Sequence, residues 1–288
     1  MRVSLAPGAV SPAGTFGIAP GGASGASLAG VAAPRVFDAH LHVLDPAFPL
    51  VPNEGFRPDP FPAEAYRQRV GGLGVAGGAV VAGSFQGPGT AWLEAALGAL
   101  GPAFVGVAGL TADVPDAEVL RLDALGVRAV RFPLRRGGRL DVGLARRVWD
   151  LAGWHAELYV DARDLPDLPL AELPRVAVDH LGLSRAGLPH LLRAVERGAF
   201  VKATGFGRVD LDVPSALRQI AAANPAALVF GTDLPSTRAP RPFRDADLAL
   251  VRETFSADLA DAVLYRNALA LYRPRALWPG DAPRQSSG

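Results

Sequence analysis

The chain has 288 residues, is 49% hydrophobic and 20% charged, and carries a formal net charge of +1. That length can bury a large core, as one barrel of about 250 residues or about two smaller domains. The near-neutral balance argues against a nucleic-acid or polyanion binder, and no apolar run reaches the ~18 residues of a membrane span.

Cysteine is absent, which excludes disulfides, thiolate nucleophiles, zinc fingers and iron–sulfur clusters and leaves His, Asp and Glu for any metal. Lys202 is the single lysine among 29 basic residues. Residues 1–34, rich in Gly, Ala, Ser and Pro, read as a flexible tail. Pro and Gly interrupt every early apolar run, so no secretory signal is expected and the cytoplasm is the expected location. From Arg35 onward, short apolar runs bounded by Gly or Pro alternate with amphipathic stretches. Strands are expected at Arg35–His42, Gly78–Gly83, Phe104–Ala108, Val127–Phe132, Ala156–Asp161, Arg175–His180, Ala199–Thr204 and Ala226–Gly231. The segments between them read as helices, with i, i+3, i+4 spacing clearest at Trp92–Leu100 and Leu188–Arg197. Arg146–Leu151, Ala216–Ala223 and Leu259–Leu271 fit the same template. Pro274–Gly288 reads as a loose terminus. Eight strands alternating with helices over 35–273 predict an α/β fold, a single-domain (β/α)8 TIM barrel with flexible termini.

In such barrels the active site lies at the C-terminal ends of the strands. The first strand ends DAHLH, where period two puts Asp38, His40 and His42 on one face and Phe37, Ala39 and Leu41 on the other. His180 closes the sixth strand and Asp233 follows the eighth. Each has a plain structural reading when taken alone, as a satisfied histidine or a turn aspartate. Together they collect at one end of the barrel. His155 and His190 fall elsewhere and read as structural. Arg131 ends the fourth strand and Arg135, Arg136 and Arg139 follow in its loop, Lys202 lies on the seventh with Arg208 beyond it, and Ser84 follows the second. This set suits an anionic small molecule.

The motifs DAHLHV, VDHLG and GTDLP, with the closing LYRNALALY, resemble the amidohydrolase-related branch of the amidohydrolase superfamily from about Val36 to Tyr272. GSFQGPGTAWLEAAL, GVRAVRF, ELYVDARDLPDLP and VKATGFGR are similar to segments of its 2-pyrone-4,6-dicarboxylate lactonase-like group. That resemblance points to Ser84, Arg131, Tyr159, Lys202 and Arg208 as substrate-binding residues. Three positions depart from it. Tyr159 stands where metal-dependent members carry a strand-five His, Leu183 where the lactonase carries Arg, and Ser236 where TDWPH carries His.

The resemblance implies a hydrolase that opens a lactone of a carboxylated small molecule without a tightly bound cofactor. Asp233 would be general base to water, and His40, His42 and His180 would donate to the carbonyl oxygen and the oxyanion. Two alternatives stand beside it. One is a mononuclear metal-dependent hydrolase or decarboxylase in which His40, His42, Asp233 and His180 hold one Zn²⁺ or Mn²⁺. The other is a non-catalytic anion-binding barrel. The expected partner is a small anionic substrate, with no nucleic acid or membrane, and a homodimer is allowed.

Overall fold

The computed structural model describes residues 35–87 and 89–277. The expected tail 1–34 and the part of the C-terminal tail beyond 277 lie outside them. Eight parallel strands run β1 Val36–Leu41, β2 Val75–Val81, β3 Phe104–Ala108, β4 Val127–Phe132, β5 His155–Leu158, β6 Val176–Val178, β7 Phe200–Ala203 and β8 Leu228–Phe230. Each pairs with its chain neighbours, in the order β1 to β8. The ring closes beyond the end of β8, where Asp233 N donates to His40 O (2.7 Å) and His42 N to Leu234 O (2.8 Å). This is the expected (β/α)8 barrel.

The strands read as continuous apolar runs because both of their faces are covered. Outward residues such as Val80, Val130, Leu158 and Val201 pack with Leu93, Val148, Leu191 and Leu217 of the surrounding helices. Inward residues Phe37, Ala39, Val81, Val105, Val107, Ala129, Ala177 and Val229 form a second cluster with Leu271 and Tyr272. Each large side chain so buried contributes roughly 1.5–3 kcal/mol. Tyr272 stacks on Phe37 with ring centroids 5.4 Å apart, so the last helix closes the lumen below the polar layer.

The helices are α1 Ala63–Val70, α2 Ala91–Leu100, α3 Asp116–Leu125, α4 Val142–Ala152, α5 Leu188–Glu196, α6 Val213–Ala223, α7 Asp245–Thr254, α8 Ala257–Asp261 and α9 Asn267–Tyr272. A π-helical turn, Ala262–Arg266, joins α8 to α9 within the expected Leu259–Leu271 helix. The β5–β6 connection differs from expectation. It carries only the short 3₁₀ turns Ala162–Asp167 and Leu170–Glu172, because Pro166, Pro169 and Pro174 remove the donors an α-helix needs. No helix among the described residues is long and apolar enough to cross a membrane.

Candidate active site

The register of β1 against β2 slips between Asp38 and Leu41. A period-two reading fails across such a slip, and the expected grouping of Asp38 with His40 and His42 is corrected here. Asp38 accepts from Thr232 N (2.8 Å), Thr232 Oγ1 (2.6 Å), Tyr66 Oη (3.0 Å) and His40 N (3.2 Å). Burial pushes its carboxyl up to about 6 despite those donors. It ties β1 to β8 and α1, and that frame sets the two histidines.

Three imidazoles converge on one carboxylate oxygen. Asp233 Oδ1 lies 3.8 Å from His40 Nε2, 4.0 Å from His42 Nε2 and 3.9 Å from His180 Nε2. His180 and Asp233 both have left-handed backbone, with φ of 51° and 61°. Such residues cost of order 1–3 kcal/mol each and persist where surrounding structure enforces them. Gly231 and Gly205 permit the close approach. A Cβ on Gly231 would fall 2.7 Å from His40 N, and one on Gly205 2.7 Å from His180 Nδ1. The other oxygen of Asp233 accepts from Arg208 Nε (2.9 Å) and Nη2 (2.5 Å).

The far nitrogen of each ring fixes what the near one offers. His42 Nδ1 is 2.8 Å from Val81 O. A carbonyl only accepts, so Nδ1 carries the hydrogen and Nε2 presents a lone pair. Burial, then the neighbouring His40 and Arg131, hold His42 well below the usual histidine range, so the ring stays neutral. The expected donor role of His42 is therefore corrected to that of an acceptor or ligand. His180 Nδ1 lies 2.6 Å from Thr204 Oγ1, which can give or take a hydrogen. Burial, Arg208 and His40 keep it neutral too. His40 Nδ1 has Lys202 Nζ at 3.3 Å and Asp179 Oδ1 at 3.4 Å, while its buried Nε2 has no hydrogen-bond partner.

Lys202 is also corrected. It was expected to reach a substrate anion, but it is 0% exposed and sits beneath His40. Its Nζ donates to Glu157 Oε2 at 2.5 Å and lies 3.5 Å from Asp179 Oδ1. Glu157 also accepts from Tyr272 Oη (2.7 Å), and His155 Nε2 lies 3.3 Å from it. Burial raises the Glu157 carboxyl, but Lys202 and His155 outweigh it and bring it down to about 2. Asp179 is flanked by His40, Lys202 and Arg131, which overcome its burial and hold it well below the usual carboxylate range. Arg131 donates to Asp179 Oδ2 at 2.9 and 3.2 Å and to Ala82 O at 2.5 Å. Sequence reasoning missed Glu157 and Asp179. A charged residue inside an apolar strand, as in AELYV, was the available signal.

Of the expected catalytic and substrate-binding residues, all but His40 and Lys202 line one cavity of about 30 Å³ at the C-terminal ends of the strands, while Arg135 and Arg139 line a separate one. Ser84, Arg131, Tyr159, Arg208 and His180 are in the first, with Arg136, Arg238 and Phe85 beside them. Tyr159 lies just beyond β5, with its ring 5.2 Å from that of His180 and Arg131 over its face at 5.4 Å. The long β1–α1 loop closes over the cavity. Glu54 Oε2 accepts from Arg136 Nη1 (3.1 Å) and Arg238 Nη1 (3.2 Å), and Asn53 Oδ1 from Ser84 Oγ (3.3 Å) and Arg238 Nη1 (3.0 Å). No local pattern marks Asn53, Glu54 or Arg238, because their partners are distant in the chain.

The residues present fit a divalent cation. His40, His42 and Asp233 offer ligand atoms within 4.8 Å of one another. His42 presents a lone pair, and the unpartnered His40 Nε2 faces the same carboxylate oxygen.

The amidohydrolase family profile matches residues 37–273. A 2-pyrone-4,6-dicarboxylate hydrolase of Comamonas testosteroni is 34% identical over 157 residues, 50% of this chain and 51% of that protein. The match thus spans about half the length of that curated relative. A Pseudomonas putida structure provisionally named a 2-pyrone-4,6-dicarboxylic acid hydrolase superposes with a TM-score of 0.72 at 25% identity, over 84% of this chain and 98% of that one. An Acinetobacter baumannii protein named a probable 2-pyrone-4,6-dicarboxylic acid hydrolase, with citric acid bound, shares the fold at a TM-score of 0.71 and 20% identity, over 83% and 99% of the two chains.

Proposed function

The chain belongs to the amidohydrolase family of hydrolases, and from that premise we propose that it opens the ring ester of a carboxylated lactone. The observation that carries this reading is the single Asp233 oxygen standing 3.8–4.0 Å from three imidazoles, beneath a mouth ringed by guanidinium groups. Asp233 takes a proton from a water molecule, whose oxygen bonds to the acyl carbon. The carbonyl oxygen becomes an oxyanion. The acyl C–O bond of the ring then breaks, and the leaving oxygen takes back a proton. Arg208, paired with the second oxygen of Asp233, orients the carboxylate.

The histidines divide the remaining work. With Lys202 donating to Nδ1, His40 carries its hydrogen on Nε2 and donates to the oxyanion, a contribution of about 3 kcal/mol. His180 does the same when Thr204 donates to its Nδ1. His42, with its lone pair forward, accepts from the attacking water. A cavity of about 30 Å³ is far below the several hundred Å³ of small-molecule sites. A lactone therefore enters as the β1–α1 loop yields, and a substrate carboxylate replaces Glu54 between Arg136 and Arg238.

A second reading, a metal-dependent hydrolase, draws on the same residues and is favoured by the lone pair of His42. His40 would then give Nδ1–H to Asp179 and, with His42, His180 and Asp233, hold a Zn²⁺ or Mn²⁺. Such an ion supplies polarisation of the carbonyl and acidification of water when bound.

The test is a panel of mono- and dicarboxylated lactones at neutral pH, with and without chelator, alongside elemental analysis. Ring opening that survives chelation supports the first reading. Stoichiometric metal lost together with activity selects the second. Full turnover by Asp233→Asn on a confirmed substrate would remove the general base from the scheme.

A further inference from the structure

A larger cavity lies at the other end of the barrel, away from the catalytic mouth. Its volume is about 490 Å³, within the range of small-molecule sites. It opens where β6 and β7 begin, against the C-terminal half of α5. Its floor is apolar and firmly packed, with Leu165, Leu173 and Val176 each 7% exposed or less.

The polar side chains around it all carry N–H groups. Arg175, Arg193, Arg197 and His190 line it, and among the described residues no carboxylate does. Arg193 lies in the last turn of α5 and Arg197 is the residue that ends it, and both like charges line the cavity. Arg193 gives one N–H to His190 Nδ1 at 2.6 Å, which leaves the hydrogen of that imidazole on Nε2 as a further donor. Arg175 lies against the Trp149 ring at 5.2 Å. The Arg197 side chain has no ion-pair or hydrogen-bond partner among the described residues. Many other guanidinium groups of this protein, such as Arg121, Arg131, Arg208, Arg241 and Arg266, meet a carboxylate at 2.5–2.9 Å.

We propose that this cavity is a second binding site, for an amphiphilic organic carboxylate. The apolar floor takes the hydrocarbon body, and the planar head group is held by the forks of Arg193 and Arg197. Binding relieves the like-charge pair at the end of α5. The site is independent of the lactone chemistry, since it shares no residue with the catalytic cavity.

Titration calorimetry on the full chain with octanoate, octyl phosphate, octylammonium and 1-octanol tests this. Octanoate binds, the alcohol binds at least tenfold more weakly, and the ammonium gives no heat of binding. Arg193→Gln/Arg197→Gln weakens octanoate at least tenfold. Ala171→Trp, at an exposed position on the rim, abolishes binding. Circular dichroism and thermal melting show both variants folded. Absence of octanoate binding at millimolar concentration overturns the proposal, as does equal binding of octanol. Octanoate binding that persists in the double arginine variant overturns it as well, by placing the anion elsewhere. Tighter binding of octyl phosphate than of octanoate would overturn the carboxylate assignment.

Discussion

At the head of β6, Asp179 is enclosed by Arg131, Lys202 and His40 with no exposure to solvent. At the foot of the same strand, Arg175 has an indole face for company, and Arg193 and Arg197 across the cavity have no carboxylate partner. Burial accounts for the contrast. A charge withdrawn from water is tolerated only when opposite charge and hydrogen bonds replace the water. The head is therefore an interlocked set in which each group holds its neighbour. Guanidinium groups at the foot are hydrated and can stay unpaired, which leaves them available to a ligand. Charge pairing in this protein thus separates a preorganised site from a receptive one.

Breaking the buried set should give the largest effect. Lys202→Met leaves Glu157 without its cation, while Asp179 keeps Arg131, and costs about 3–5 kcal/mol of unfolding free energy, read by urea denaturation. A loss near zero would mean that Lys202 does not hold the pair. Asp233→Asn keeps the shape and removes the base. We expect kcat/KM to fall by about 10²–10⁴-fold in a protein that circular dichroism shows still folded.

The next effects are smaller and lie nearer solvent. Asp161 accepts from Ser184 Oγ at 2.6 Å and from Arg163 N at 3.0 Å. Burial raises its carboxyl, but Arg163 and Ser184 outweigh that and bring it down to about 2. A depressed folded-state pKa stabilises above the usual carboxylate value and is lost as pH falls toward about 2. With its arginine partner largely exposed, Asp161→Asn should cost about 1 kcal/mol at pH 7, and the difference from the parent protein should shrink between about pH 4 and pH 2. A difference independent of pH would assign the loss to packing. Glu54→Gln loosens the loop over the mouth. An exposed pair is worth up to about 1 kcal/mol, so KM should fall as much as about fivefold while kcat holds; a raised KM would make Glu54 a substrate contact. At the foot, Arg197→Gln should change stability by less than about 0.5 kcal/mol. A larger loss there would erase the distinction between the two ends.

The amino-acid pattern determined a good deal unaided. Apolar runs between Gly and Pro marked all eight strands, because strands covered on both faces have little use for polar side chains. Barrel topology then placed His40, His42, His180 and Asp233 at one end. Helices α1, α3 and α7 did not stand out. AEAYRQRV buries only Tyr66 and Val70, and DAEVLRLDAL only Val119 and Leu122, too few to make a periodic signal.

Tertiary structure alone decided the rest. Alternation along a strand assigns a face but not a depth, so Lys202 looked like a substrate ligand and is a buried counter-ion. A register slip in β1 depends on the neighbouring strand, and it sends Asp38 away from the histidines. The hydrogen of His42 is set by Val81 O, 39 residues along the chain, and the grip on Glu54 by arginines 82 and 184 residues away. Local preference writes the elements; the protonation, pairing and reach of a side chain depend on atoms that only folding brings near.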